Sequence, residues 1–143
     1  MPFVETQWWA IEIPEEWEAQ YSEDCVSISD CDEVGCLDIS ALKKQQGDIT
    51  EEGLRAFAGE LLDKSFIPQL VECSGLSGLY FEYQEDDTAW REWYFAANDL
   101  LIYITYNCDI ENKDFDIAVV DQILETLTLT DDSETFVDGK SPS

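Results

Sequence analysis

Residues 90–107 read "WREWYFAANDLLIYITYN", and this stretch decides the fold. Arg91, Trp93 and Phe95 fall on one side of an alternating segment, against Trp90, Glu92 and Tyr94 on the other. After the short turn "AND", Ile102, Ile104 and Tyr106 oppose Leu101, Tyr103 and Thr105. Two strands joined by a tight turn predict an antiparallel hairpin. Strands with large apolar residues on both faces are covered on both faces, so most of these rings are expected in the core.

The pattern extends outward. "GLYFEYQ", with Leu79, Phe81 and Tyr83 on one face, precedes the hairpin through the turn "EDDT" and makes it a meander. "WWAIEI" alternates as a strand, with Trp9, Ile11 and Ile13 pointing one way, and Pro14 ends it. "PEEWEAQ" is expected as a short helical turn that tucks Trp17 inward. "DCVSIS" and "GCLDISAL" predict a second hairpin around the acidic turn "DCDEVG". A helix is expected from the N-cap Thr50, with Ile49 and Leu54 as a hydrophobic staple and a buried stripe of Leu54, Phe57, Ala58, Leu61 and Leu62. A second helix is expected from about Asn112 or Asp114 to Thr126, burying Val120, Ile123, Leu124 and Leu127. The fold class is therefore α+β: an antiparallel sheet of about six strands with helices packed on it. One domain is expected over residues 1–130, with a mobile acidic tail at 131–143.

Charge narrows the partners. The chain carries 33 Asp and Glu against 7 Lys and Arg, with no His, for a formal net charge of −26. Nucleic acid and anionic membrane surfaces repel such a chain, because both are bound by clustered Lys and Arg. A basic protein partner is attracted. No apolar run approaches the length of a membrane span. The N-terminus lacks the basic and long apolar regions of a signal peptide. Cys25, Cys31, Cys36, Cys73 and Cys108 are scattered and odd in number. They are expected as reduced thiols in a cytoplasmic protein.

The absent histidines exclude Ser-His-Asp and Cys-His catalysis and every His-containing zinc site. The cysteine spacing lacks the close pairs of an all-Cys zinc site. "DCDEVG" at 30–35 sets Asp30, Asp32 and Gly35 as a calcium loop would, but Val34 stands where a ligand is needed and Ala41 where the closing Glu belongs. Carboxylate pairs of glycosidase type carry no weight in a chain this rich in acids. No phosphate-cradling loop of GxxxxGK[ST] or GxGxxG type occurs. No catalytic residue, cofactor or metal is expected.

The order of elements resembles the PsbP-like α/β/α sandwich superfamily over about residues 6–128. The resemblance is carried by "WWAIEIPEEWEA", "CVSIS", "GCLDISALKKQQGDITEEGLRAFAGELL", the meander "LSGLYFEYQEDDTAWREWYFAANDLLIYITYNCD" and the helix "AVVDQILETL". It is similar to small bacterial members with the pattern W-x-I-x-x-P-x-x-W, here Trp9, Ile11, Pro14 and Trp17. The resemblance implies a non-enzymatic binding module, adaptor or chaperone-like protein.

Together these readings point to a non-enzymatic cytoplasmic protein-binding module, such as an immunity protein that neutralises a basic bacterial toxin. An adaptor or chaperone for a secreted effector is the alternative, and a carboxylate-dependent hydrolase a more distant one. The candidate partner-binding face is the mixed one bearing Trp90, Glu92 and Tyr94, together with Tyr80 and Glu82 of the neighbouring strand. Aromatic anchors rimmed by charge are the usual anatomy of a binding hot spot.

Overall fold

The computed structural model describes residues 3–22, 25–30, 34–43, 47–64, 66–73 and 76–130, apart from the side chains of residues 60, 61 and 73. The predicted tail at 131–143, the centre of the acidic turn at 31–33, and the Leu61 side chain of the predicted stripe lie outside the described residues. Among the described residues are ten strands and three α-helices: β1 (Phe3–Glu5), β2 (Trp9–Glu12), β3 (Trp17–Tyr21), β4 (Cys25–Asp30), β5 (Gly35–Lys43), α1 (Glu51–Phe57), α2 (Gly59–Asp63), β6 (Gln69–Cys73), β7 (Leu76–Glu85), β8 (Thr88–Ala97), β9 (Leu100–Asp109), α3 (Ile117–Glu125) and β10 (Thr128–Leu129).

A seven-stranded antiparallel sheet runs β3-β4-β5-β9-β8-β7-β6, and a three-stranded sheet runs β1-β2-β10. The meander is its centre, as the alternation predicts. Its turns are two residues long, between the pairs Glu85↔Thr88 and Ala97↔Leu100. Asp86 and Asn98 open them with φ of 56°. Asp and Asn tolerate this left-handed conformation better than other side chains do.

The two faces of the main sheet are covered differently. On the first, Ile28, Leu37, Ile39, Phe95, Ile102 and Ile104 pack against Trp9 and Ile11 of β2 and against Val120, Ile123 and Leu124 of α3. On the second, Leu79, Phe81, Tyr94 and Leu101 pack against Leu54 and Ala58. Leu54 belongs to α1, and Ala58 joins α1 to α2. Both faces of β7, β8 and β9 are thus covered over most of their length, which answers for most of the aromatic residues.

Several expectations are corrected. The expected sheet of about six strands is roughly right, the main sheet having seven, but the strand of Trp9 and Ile11 belongs to the smaller sheet instead. Trp17 is buried as expected, but its segment is strand β3, paired with β4, rather than a helical turn. Thr50 does cap α1, accepting from Gly53 N at 3.1 Å. The expected single helix breaks at Ala58, and Phe57 is 49% exposed instead of joining the buried stripe. The second helix begins later than expected, at Ile117 after a 3-10 turn over Ile110–Asn112, but its stripe is buried as read.

Candidate functional site

The strand alternation of β8 sends Trp90, Glu92 and Tyr94 to the face covered by α1 and α2. Part of this face is open as a cavity of about 660 Å³, whose lining runs from Glu85 and Trp90 to Leu42 and Leu101. Its floor is Glu92. The side chain of this residue is 5% exposed, which is unusual for a carboxylate unless it is partnered. Its partners are phenolic: Tyr94 donates to Oε1 at 2.7 Å, Tyr103 donates to Oε1 at 3.1 Å, and Tyr83 donates to Oε2.

The walls are aromatic. Trp90 stacks on Tyr83, with centroids 6.2 Å apart and planes 6° from parallel, and Phe66 also stacks on Tyr83 at 4.7 Å. Tyr94 and Tyr103 form a tilted pair at 4.9 Å. Leu42 and Phe57, both about half exposed, line the mouth, and buried Leu101 is part of the lining. Phe57 leaves the helix stripe because it faces this opening. The ion pair of Lys64 with Glu85, at 3.1 Å, stands on the rim.

Burial and the hydrogen bond to Glu92 hold the Tyr83 and Tyr94 hydroxyls protonated far above the ordinary tyrosine range. Among the described residues, no cation pairs with Glu92. A buried carboxylate satisfied by neutral donors alone retains much of its desolvation cost. The site is therefore an electronegative, aromatic-walled pocket suited to an incoming cation.

The sequence grouped Tyr80 and Glu82 with this face, and the structure separates them. The pairs Tyr80↔Trp93 and Glu82↔Arg91 set both residues on the opposite face. There Tyr80 donates to Glu82 at 2.6 Å and accepts from Arg91 Nε at 2.7 Å. Arg91 also bonds Asp121 of α3 at 2.7 Å and lies over the Trp93 ring at 4.6 Å. This cluster ties the sheet to α3. Burial, with the bond to Glu82, pushes the Tyr80 hydroxyl up to about 12. Sequence reasoning missed Tyr83 and Tyr103 as members of the site. Their alternation was legible; their shared approach to Glu92 depended on register across three strands.

No family model matches the sequence, and no curated protein matches it. Solved structures do. A protein from Bacteroides thetaiotaomicron matches with a TM-score of 0.68 at 17% identity, covering 90% of this chain and 47% of its own. This chain thus spans about half the length of that protein. Cyanobacterial PsbP (CyanoP) from Synechocystis matches with a TM-score of 0.64 at 12% identity, over 90% of this chain and 91% of its own. LpqN of Mycobacterium tuberculosis, described as involved in cell envelope biogenesis, matches at 0.56 and 16% identity, over 85% and 83%. At these identities the likeness concerns the fold, which is PsbP-like. Among the described residues, no helix is long and apolar enough to cross a membrane, and no group of three or more His, Cys, Asp or Glu is placed to hold a metal ion.

Proposed function

We propose that this PsbP-like chain is a protein-binding module that receives a positively charged group of a basic partner in the pocket above Glu92. The observation that carries the reading is the Glu92 carboxylate itself. It is buried, bonded by three tyrosine hydroxyls and in no ion pair among the described residues, at the floor of an open aromatic cavity. The net charge of −26 supports it by drawing basic partners to the surface. Binding is favoured over acid–base catalysis because the three hydroxyls at the carboxylate are donors already committed to it, and two of them are held firmly protonated. Neutralisation of a basic toxin in a bacterial cytoplasm is the setting that best matches a small, strongly acidic module.

The adaptor reading draws on a different feature. Strand β6 is an edge of the main sheet, and Leu70 within it and Ile67 just before it are strongly exposed. An unpaired edge with apolar side chains is a template for strand addition.

Affinity capture from the native host with the wild-type chain, Glu92→Gln and Trp90→Ala tests the first reading. The expected result is a basic protein retained by the wild-type chain and lost or weakened with both variants. Retention of the same proteins by all three chains would remove the pocket from the account.

A further inference from the structure

The acceptor geometry of Glu92 specifies which cation the pocket takes. A carboxylate offers about four acceptor sites, two on each oxygen. Oε1 receives both Tyr94 and Tyr103, at 2.7 and 3.1 Å, and is filled. Among the described residues, Oε2 receives Tyr83 alone, which leaves one site. A guanidinium binds a carboxylate best through parallel bonds to both oxygens, and Oε1 has no place for the second. A quaternary ammonium has no N–H and would leave the remaining Oε2 site unused. A primary ammonium needs only one site. It can give one N–H to Oε2, turn others toward the lone pairs of the tyrosine oxygens, and set its charge against the ring faces.

The rest of the cavity matches the stem of such a group. Half-exposed Leu42 and Phe57 at the mouth, with buried Leu101 in the lining, present apolar surface beside the polar floor. A lysine side chain has the same order, an apolar carbon stem ending in a compact charge. We propose that the Glu92 pocket is a receptor for a lysine ammonium group, and that the partner's anchor is an exposed lysine rather than an arginine. This rests on the reading that the pocket receives a partner's cation.

Three capped amino acids serve as probes in NMR titrations at physiological salt: Nα-acetyl-N-methylamides of lysine, arginine and trimethyl-lysine. Shifts of the Trp90 indole resonance report occupancy. The expected result is a lysine probe bound several-fold more tightly than the other two. Glu92→Gln should weaken the lysine probe by about tenfold, as for loss of a charge-assisted hydrogen bond. Tyr103→Phe vacates a site on Oε1 and should move selectivity toward arginine, an effect that mere loss of packing would not give.

Arginine or trimethyl-lysine equal to or better than lysine, with binding still dependent on Glu92, would overturn the ammonium inference and leave the cation reading standing. Probes that leave the Trp90 resonance unmoved up to about 10 mM, the weak end of specific affinity, would overturn both. So would equal binding of all three probes to the wild-type chain and Glu92→Gln. If Glu92→Gln does not fold, the ranking on the wild-type chain and its change in Tyr103→Phe still decide the matter.

Discussion

The hydroxyl of Tyr106 donates to Oδ2 of Asp116 at 2.5 Å, and both residues are buried. Asp116 is the N-cap residue of α3, yet its side chain makes no cap bond; its carboxylate is turned to the sheet instead. The bond therefore ties the central strand β9 to the start of the helix that covers the first face. Tyr106→Phe leaves a buried acceptor unmatched and should cost about 1–3 kcal/mol in denaturant melts. Gly35 makes room for the same hydroxyl: a Cβ there would lie 2.0 Å from the Tyr106 oxygen. Ring carbons at 2.4 and 2.8 Å would meet that Cβ too, so Gly35→Ala should be destabilising in the wild-type chain and milder only where the ring is removed, in Tyr106→Ala. Equal cost in both backgrounds would disprove the link.

Alkaline pH should unfold the chain through its tyrosines. Burial, reinforced by a bonded carboxylate, raises the hydroxyls of Tyr80, Tyr83, Tyr94 and Tyr106 above their ordinary value near about 10. The folded state then holds these protons more tightly than the unfolded state does. Their contribution to stability is intact below about pH 10 and declines as pH rises beyond it. Tyr80 titrates at about 12, where Arg91 beside it opposes the rise. Denaturant midpoints measured between about pH 8 and 12 should fall steeply only above about 10. Phenolate absorbance should appear together with unfolding; full phenolate formation in a still-folded chain would contradict the burial argument.

The helix over the second face gives a contrast between neighbours. Leu54 is 4% exposed and sits among Leu79, Phe81, Tyr94 and Leu101, whereas Phe57 is 49% exposed at the pocket mouth. Leu54→Ala should cost about 2–5 kcal/mol. Phe57→Ala should cost less than about 1 kcal/mol while weakening cation binding. Comparable losses of stability would return Phe57 to the core.

How much was legible follows from period and length. Val120, Ile123, Leu124 and Leu127 were readable because a helix stripe repeats over several turns, and the meander because its strands alternate over ten residues each. Strands β1, β6 and β10 were not, since they are two to five residues long, and the partner of β10 is the distant strand β2. Within the site, Trp90, Glu92 and Tyr94 were correctly set on one face because they share a strand. Tyr80 and Glu82 were misplaced because face assignment across strands depends on register, and one residue of slip exchanges the faces. Alternation within β7 could not reveal that Tyr83, rather than Tyr80, stands beside Trp90.

Thiol chemistry should separate burial from oxidation. Cys25, Cys36 and Cys108 are free. Burial, and then the Asp38 carboxylate beside it, pushes the Cys36 thiol up to about 11. A thiol held that high is a poor nucleophile near neutral pH. Alkylation of the native chain at about pH 8 should leave Cys36 unmodified, and denaturation without reductant should release all five cysteines as titratable thiols. A mass that shows intramolecular disulfides would overturn the expectation of reduced cysteines.

Charge and pocket should act on different steps of binding a basic partner. The acids of a chain at −26 act mainly through water, where their reach is about 8 Å at physiological ionic strength. Such charges govern encounter, while desolvated anchors govern escape. Raising the salt should therefore slow association much more than it speeds dissociation. Trp90→Ala and Glu92→Gln remove a wall and the floor of the pocket, so they should raise the dissociation rate and leave the salt dependence of association largely unchanged. Tyr94→Ala should behave differently, because Tyr94 is 5% exposed and packs against Phe81 as well as bonding Glu92. It should lower the denaturant midpoint as well as the affinity. Stopped-flow association and dissociation rates at two ionic strengths, measured beside denaturant melts for each variant, distinguish these cases. Association indifferent to salt would leave the charge as a solvated surface, and a Trp90→Ala chain that dissociates at the wild-type rate would place the partner elsewhere on the fold.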